Sequence, residues 1–228
     1  MCRWRGEGPT YKEAAVGTRE DDVVQMTSMC VKVLTGEMAA ENPKKISRRV
    51  AVVLLAHYVG DLHQPLHVGA AYFDAKGMPT VPRKGETYFA DKGGNAIAAV
   101  IGGKEVANLH TYWDVDLVGK AFDVKGRQVN EGAIAAMVKE EPVGWKPKDG
   151  SVPVQWAEMW ADEILPVAKE AHDRLRFEET EGSKLKFKAV EADGGMKMQY
   201  EQWAAGVVKE EVHRAGWRLA YLLGEVVK

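Results

Sequence analysis

Four of the six histidines in this chain fall between positions 57 and 110, and three of those crowd into His57-Tyr-Val-Gly-Asp61-Leu-His63-Gln64-Pro65-Leu66-His67. His57 and Asp61 are four residues apart, so on a helix their side chains leave the same face one turn apart. A neutral imidazole and a carboxylate at that separation are suited to hold a zinc ion. The same spacing recurs in His110-Thr-Tyr-Trp-Asp114. One His-x-x-x-Asp pair is commonly an ordinary surface or structural pair. Two such pairs, one of them in a strongly apolar segment where uncompensated polar groups are costly, point to metal binding. His172 and His213, each alone on a helical stretch, read as ordinary core or surface histidines. Gly93-Gly94-Asn95 is a turn signal of the kind that marks many hairpins, and its functional reading is a backbone that must pass close to the metal site.

These residues need helices to hold them. Asp21–Asp22 can cap a helix running to about Leu34, with Gly36 closing it. Asn42–Pro43 is a start signal for a second helix from Lys44 to about Asp61. Its core, RRVAVVLLAHYVGDLHQPLH, is apolar almost all round and reads as the central buried helix, kinked or ended by Pro65. From Ala70 to Gly103 the composition turns to Gly, Pro, Lys and aromatics, predicting a long excursion with one short hairpin whose return strand is Ala96 to Ile101. Asn108 is a cap for a helix from Leu109 to Phe122. Further helices fit Asn130–Glu140, Pro153–Phe177 and Met198–Val227, with KLKFKAVEA alternating like one strand of a small hairpin. The fold class is therefore mainly α with a small β-hairpin excursion.

Composition excludes several classes of protein. The chain has 228 residues, 46% hydrophobic and 28% charged, with net charge −2. That suits one soluble domain. It contains no run of about 18 apolar residues of the kind that spans a membrane. Lysines and arginines are scattered rather than gathered on a basic face, so if nucleic acid is the substrate, something other than lysine must neutralise phosphate. Clustered divalent metals would do so. Cys2 and Cys30 permit one disulfide without demanding it. The opening residues carry no apolar segment of the signal-peptide type. They read as coil.

HYVGDLHQPLHVG, DKGGNA and NLHTYWD, in this order, resemble the single-strand-specific zinc nucleases and 3′-nucleotidases of the S1/P1 type. Trp160-Ala-Asp-Glu163 and Ala215-Gly-Trp-Arg-Leu-Ala220 are similar to that family's late helices. The resemblance implies a mostly helical fold, shared more distantly with zinc-dependent phospholipase C, and three zinc ions at the bottom of a cleft. It implies that His67, His110 and Asp114 hold one zinc and that His57 and Asp61 belong to a second. Asp61 would bridge to the third, the role in which it is expected to be catalytic. His63, Gln64, Asn95 and Asn108 are expected to orient ligands or brace loops rather than touch metal. The implied reaction is hydrolysis of single-stranded RNA or DNA and of 3′-nucleotides to 5′-phosphate and 3′-hydroxyl ends. Metal charge would lower the pKa of a water and offset charge at phosphorus.

Three further expectations follow from the resemblance. The family begins with an N-terminal Trp and a nearby His, and later adds an Asp and a second His, all upstream of the part matching Gly17 onward. Residues 1–16 are thus expected to be a disordered or non-native start, and 17–228 a single zinc-nuclease-like domain lacking its N-terminal portion. One zinc site is then complete and the other two are partial, so an impaired enzyme or an inactive zinc-binding remnant is the alternative to an active hydrolase, with phospholipase C a more distant one. The family is usually exported, which makes a periplasmic or extracellular monomer the expectation. Tyr58, Tyr72 and Tyr112 are positional candidates for stacking on a base.

Overall fold

The computed structural model describes residues 11, 16–39, 42–74, 77–82, 85, 87–124, 130–180, 186–191 and 199–227. Cys2, Trp4 and most of the 1–16 stretch lie outside these residues, so the disulfide and chain-start expectations do too.

The first helix, α1 (Val23–Thr35), starts where the sequence says it should. The Asp22 carboxylate accepts from the amides of Val24 and Gln25, and Gly36 at φ 80° ends the helix in the left-handed region. Such a cap contributes about 1 kcal/mol. The second helix, α2, spans Arg48–Leu62 and is capped by Ser47. The expected start at Lys44 is four residues early. Asn42 accepts from the Ile46 amide and donates to the Ile46 and Ala39 carbonyls, and Lys45 takes φ 54°. Asn42 therefore closes a turn and caps no helix. Burial of α2 also differs from expectation: Ala51, Leu55 and Val59 are fully buried, whereas Val50 and Val53 are 45% and 69% exposed. Only one stripe of this apolar helix meets described residues.

After α2 the chain turns through His63 and Gln64 into the single-turn α3 (Pro65–Val68), with Pro65 at its first position. The proline begins a new turn, as a residue without an amide proton can do without cost there. The excursion contains a two-residue pairing of β1 (Tyr72–Phe73) with β2 (Phe89–Ala90), then β3 (Ala98–Ile101) and β4 (Lys104–Val106). Gly102 and Gly103, both at positive φ, make the tight β3–β4 turn that only such residues allow without strain. Ala98–Ile101 is therefore the outgoing strand of its hairpin, contrary to its expected place as a return strand.

The helix after Asn108 is interrupted. α4 (Leu109–Thr111) passes through a π turn (Tyr112–Asp116) into α5 (Leu117–Ala121). Next come α6 (Glu131–Met137), α7 (Pro153–Asp173), β5 (Leu175–Thr180), β6 (Lys186–Glu191) and α8 (Tyr200–Val226). The expected run of α7 to Phe177 is too long. Leu175, Arg176 and Phe177 pair with β6 instead, and β6 also pairs in parallel with β3 to give the order β4-β3-β6-β5. No described helix is long and apolar enough to cross a membrane.

Two hydrophobic clusters result. One joins α1, α2, α7 and the end of α8 through residues such as Cys30, Leu55, Leu62, Trp160 and Leu222. The other joins α3, the strands, α4, α5 and the start of α8 through Leu66, Phe73, Leu109, Trp113 and Tyr200. Each fully buried Leu or Val contributes roughly 1.5–3 kcal/mol. Leu62 belongs to the first cluster and Leu66 and Leu109 to the second, so the histidine-rich segment is held at their junction.

Candidate metal centre

The expected ligands converge. His67 Nε2 lies 3.3 Å from Asp114 Oδ1, and His110 Nε2 lies 3.4 Å from Asp114 Oδ2. Ligand atoms of His67, His110 and Asp114 all fall within 4.8 Å of one another, the one such group of three among the described residues. On the other side His57 Nε2 is 3.3 Å from Asp61 Oδ2, which is 3.8 Å from His67 Nδ1. The five residues form a continuous line, His57–Asp61–His67–Asp114–His110. Residues 47 positions apart in sequence (His67 and Asp114) meet because α3 and α4 both anchor in the second cluster.

The donor set fits zinc. Bonds of about 2.0–2.1 Å at tetrahedral angles place donor atoms about 3.3–3.4 Å apart, and each imidazole Nε2 stands at that distance from one oxygen of Asp114. His110 Nδ1 donates to the Gly93 carbonyl at 2.6 Å, so its proton is fixed there and the Nε2 lone pair is left for a metal. Gln64 Nε2 donates to Asp114 Oδ1 at 2.8 Å and orients that carboxylate. Partial burial opposes ionisation of Asp114, but hydrogen bonds from His67 and Gln64 outweigh it and hold the carboxyl below its ordinary range. An anionic Asp114 is the form that binds a cation.

The π turn bears on this geometry. It contains Tyr112, Trp113 and Asp114, with Trp113 fully buried and its indole donating to Tyr200 at 3.0 Å. An extra residue in one turn lets Trp113 seat in the core while Asp114 still faces His67. Nothing in the His-x-x-x-Asp spacing announces it.

The bracing residues divide. Asn108 caps α4 by accepting from the Thr111 amide at 2.7 Å. Asn95 donates to the Lys92 carbonyl within its own turn, at 3.1 Å. His63 is almost wholly buried in the wall of the cleft that Asp61 and His67 also line. Its Nδ1 donates to the Val59 carbonyl at 2.7 Å, and Arg218 donates to its Nε2 at 3.0 Å. Burial and the neighbouring guanidinium push its pKa down to about 3, so the ring is neutral and serves as an acceptor. Arg218 continues to Glu163 and to the carbonyls of Gly144 and Trp145. Asp91, His172 and Arg218 were not singled out by spacing; an acid two residues before a Gly-Gly turn is the signal that could have found Asp91.

The glycine turn packs closely against the segments that carry His67 and His110. At Gly93, φ 61°, a Cβ would sit 2.1 Å from the Leu66 carbonyl oxygen, and at Gly94, φ 84°, one would sit 3.0 Å from the His110 amide nitrogen. Only glycine permits both the conformation and the approach.

His57, Asp61, His67 and Asp114 line a cleft of about 390 Å³ together with Val118, Val208, Val212 and Ala215. None of the tyrosines considered for stacking lines this cleft, although the Tyr58 ring is 5.7 Å from that of His57. Tyr112 is buried with its hydroxyl donating to Glu201, Tyr72 meets Tyr88 edge-on, and Tyr58 packs on the first cluster.

A model of the S1/P1 nuclease family matches residues 8–228. The chain belongs to the S1/P1 nuclease family. Endonuclease 2 of Arabidopsis thaliana is 29% identical over 114 residues, a match covering 50% of this chain and 33% of that protein. The chain thus spans about a third of the length of that relative. The mainly helical fold with a small sheet agrees with the family's expected architecture.

Proposed function

We propose that this protein is a zinc-dependent phosphodiesterase that hydrolyses single-stranded nucleic acid and 3′-nucleotides to 5′-phosphate and 3′-hydroxyl products. The observation that carries the reading is the meeting of His67, His110 and Asp114 at separations suited to tetrahedral zinc. Membership in a nuclease family and similarity to a protein named an endonuclease support the substrate class.

Zinc supplies Lewis-acid charge for phosphoryl oxygens and favours ionisation of water near neutral pH. The chain's own residues set the stage for that chemistry. His67, His110 and Asp114 would hold the zinc as three protein ligands, a number that would leave a fourth position for water or a phosphate oxygen, as in catalytic rather than structural zinc. Gln64 and the Gly93 carbonyl fix the orientation of Asp114 and His110 before anything binds. Asp61, between His57 and His67, is placed to contribute an anionic oxygen to a second metal shared with His57. The apolar side chains of Val118, Val208 and Val212 can lie against the uncharged part of a nucleotide while the phosphate faces the ligands. A phosphate drawn by metal charge also accounts for a chain of net charge −2 acting on a polyanion. Export, as expected for the family, and a monomeric state complete the proposal.

Metal analysis of protein purified without chelator, paired with hydrolysis of a single-stranded oligonucleotide and of a 3′-nucleotide, tests it. The expected result is one tightly held zinc per chain, a weaker second equivalent, and slow hydrolysis that EDTA abolishes and zinc restores. Hydrolysis indifferent to EDTA, or no retained zinc, would overturn the reading.

A further inference from the structure

Asp91 is a fully buried carboxylate outside the ligand set. Its Oδ1 accepts two backbone amides, from Ala71 and from Gly93, each at 2.9 Å. Its Oδ2 lies 2.7 Å from His172 Nε2, and His172 Nδ1 lies 2.7 Å from the Ala168 carbonyl. Both ring nitrogens face acceptors, so both carry protons and His172 is an imidazolium paired with a carboxylate. His63 has the opposite surroundings, with a carbonyl at one nitrogen and a guanidinium at the other.

The two amides that Asp91 collects belong to the two halves of the candidate centre. Ala71 follows His67 by four residues at the exit of α3, and its carbonyl also accepts from the Asp91 amide at 3.0 Å. Gly93 supplies the carbonyl that takes the His110 Nδ1 proton. α7 carries His172 and presses Ala168 against Gly69, where an added Cβ would come within 2.3 Å of the Ala168 methyl. A buried ion pair is a poor source of net stability against an apolar replacement, because desolvation offsets attraction. Its place between the two ligand-bearing segments is better explained by positioning.

We propose that Asp91 and His172 are positioning residues: the pair fixes the separation of the His67 and His110 segments and, through the Gly93 carbonyl, selects the His110 tautomer whose Nε2 is free for a metal. The proposal rests on the zinc reading above. Its core, the tautomer, can be measured without metal.

The test is nitrogen-15 NMR of His110, alongside zinc titration with a competing chromophoric chelator, on full-length protein. Wild type is expected to show the Nδ1–H tautomer. In Asp91→Ala the Gly93 turn loses its acceptor, the His110 signals move toward a tautomer mixture, and zinc affinity falls about 10–100-fold. His172→Leu, which strips Asp91 of its partner, is expected to lose about tenfold. His172→Gln retains an amide donor to Asp91 and should stay within about threefold of wild type. Leu222→Ala, a core cavity distant in sequence and in the other cluster, lowers stability and leaves the tautomer untouched. If Asp91→Ala does not fold, the two His172 variants carry the comparison, since Asp91 keeps its backbone partners in both. An unchanged tautomer and unchanged zinc affinity in His172→Leu would overturn the proposal. A shifted tautomer in a protein whose wild type takes up no zinc would leave the positioning role standing and remove the metal reading instead.

Discussion

The two His-x-x-x-Asp pairs have identical spacing and different surroundings. His110 is 15% exposed, its Nδ1 is tied to the Gly93 carbonyl, and Gln64 tethers Asp114. His57 is 68% exposed on the face of α2 that also leaves Val50 and Val53 open. Asp61 lies between His57 and His67, with separations of 3.3 and 3.8 Å. Spacing on a helix brings a pair of ligands to one face, but pre-organisation comes from groups that hold the ligands still before the metal arrives. The His110 limb has that support and the His57 limb has much less. On the proposed zinc reading, the His110–Asp114 pair would belong to a tight site and the His57–Asp61 pair to a weak one.

The largest effect is expected from Asp114→Ala. It removes the carboxylate that faces both His67 and His110, and tight zinc binding should fall by about 100-fold or more, as expected for loss of one of three ligands. Retained affinity, measured by competition with a chelator, would erase the distinction between the limbs. Gly93→Ala follows. Its Cβ would meet the Leu66 carbonyl in a left-handed backbone, costing about 3 kcal/mol in urea unfolding, whereas Gly36→Ala, with open space around it, should cost about 1 kcal/mol. Equal costs would mean that the turn does not press on α3. Gln64→Ala leaves every ligand in place and should weaken zinc about tenfold by freeing Asp114.

A smaller, pH-dependent difference separates wild type from His172→Gln. Burial disfavours charge on His172, but the Asp91 hydrogen bond and charge outweigh it and hold its pKa above the ordinary range. The stabilisation is therefore fully present below about pH 6.5, the value in the unfolded chain, and is lost as pH rises through the raised folded value. Unfolding free energies should differ most at pH 6, by about 1–2 kcal/mol, and converge at alkaline pH. A gap that widens with pH would contradict the ion pair. Smallest of all is His57→Ala, predicted to remove the second metal equivalent while changing affinity for the first by less than about threefold, with stability altered by no more than about 0.5 kcal/mol.

Much of this contrast was legible in the residues themselves. Asp22 and Gly36 announced α1 because capping chemistry is local, and Asn108 announced α4 for the same reason. The two ligand pairs were visible because helix periodicity alone puts i and i+4 together. What escaped depended on distant partners. Leu175 to Phe177 continue an apolar helical pattern, and only pairing with β6 makes them a strand. The π turn exists because Trp113 must reach Tyr200 while Asp114 reaches His67, a demand set by residues 87 and 47 positions away. His172 looked ordinary because its partner, Asp91, lies 81 residues earlier. Val50 and Val53 look like core residues on composition, and exposure cannot be read from composition.

Where zinc binds is the most direct test of the proposed centre. A crystal soaked at one equivalent, with anomalous scattering recorded across the zinc edge, should show a peak about 2.0–2.1 Å from His67, His110 and Asp114. A peak placed first at His57 and Asp61, or no ordered peak beside either pair, would contradict it.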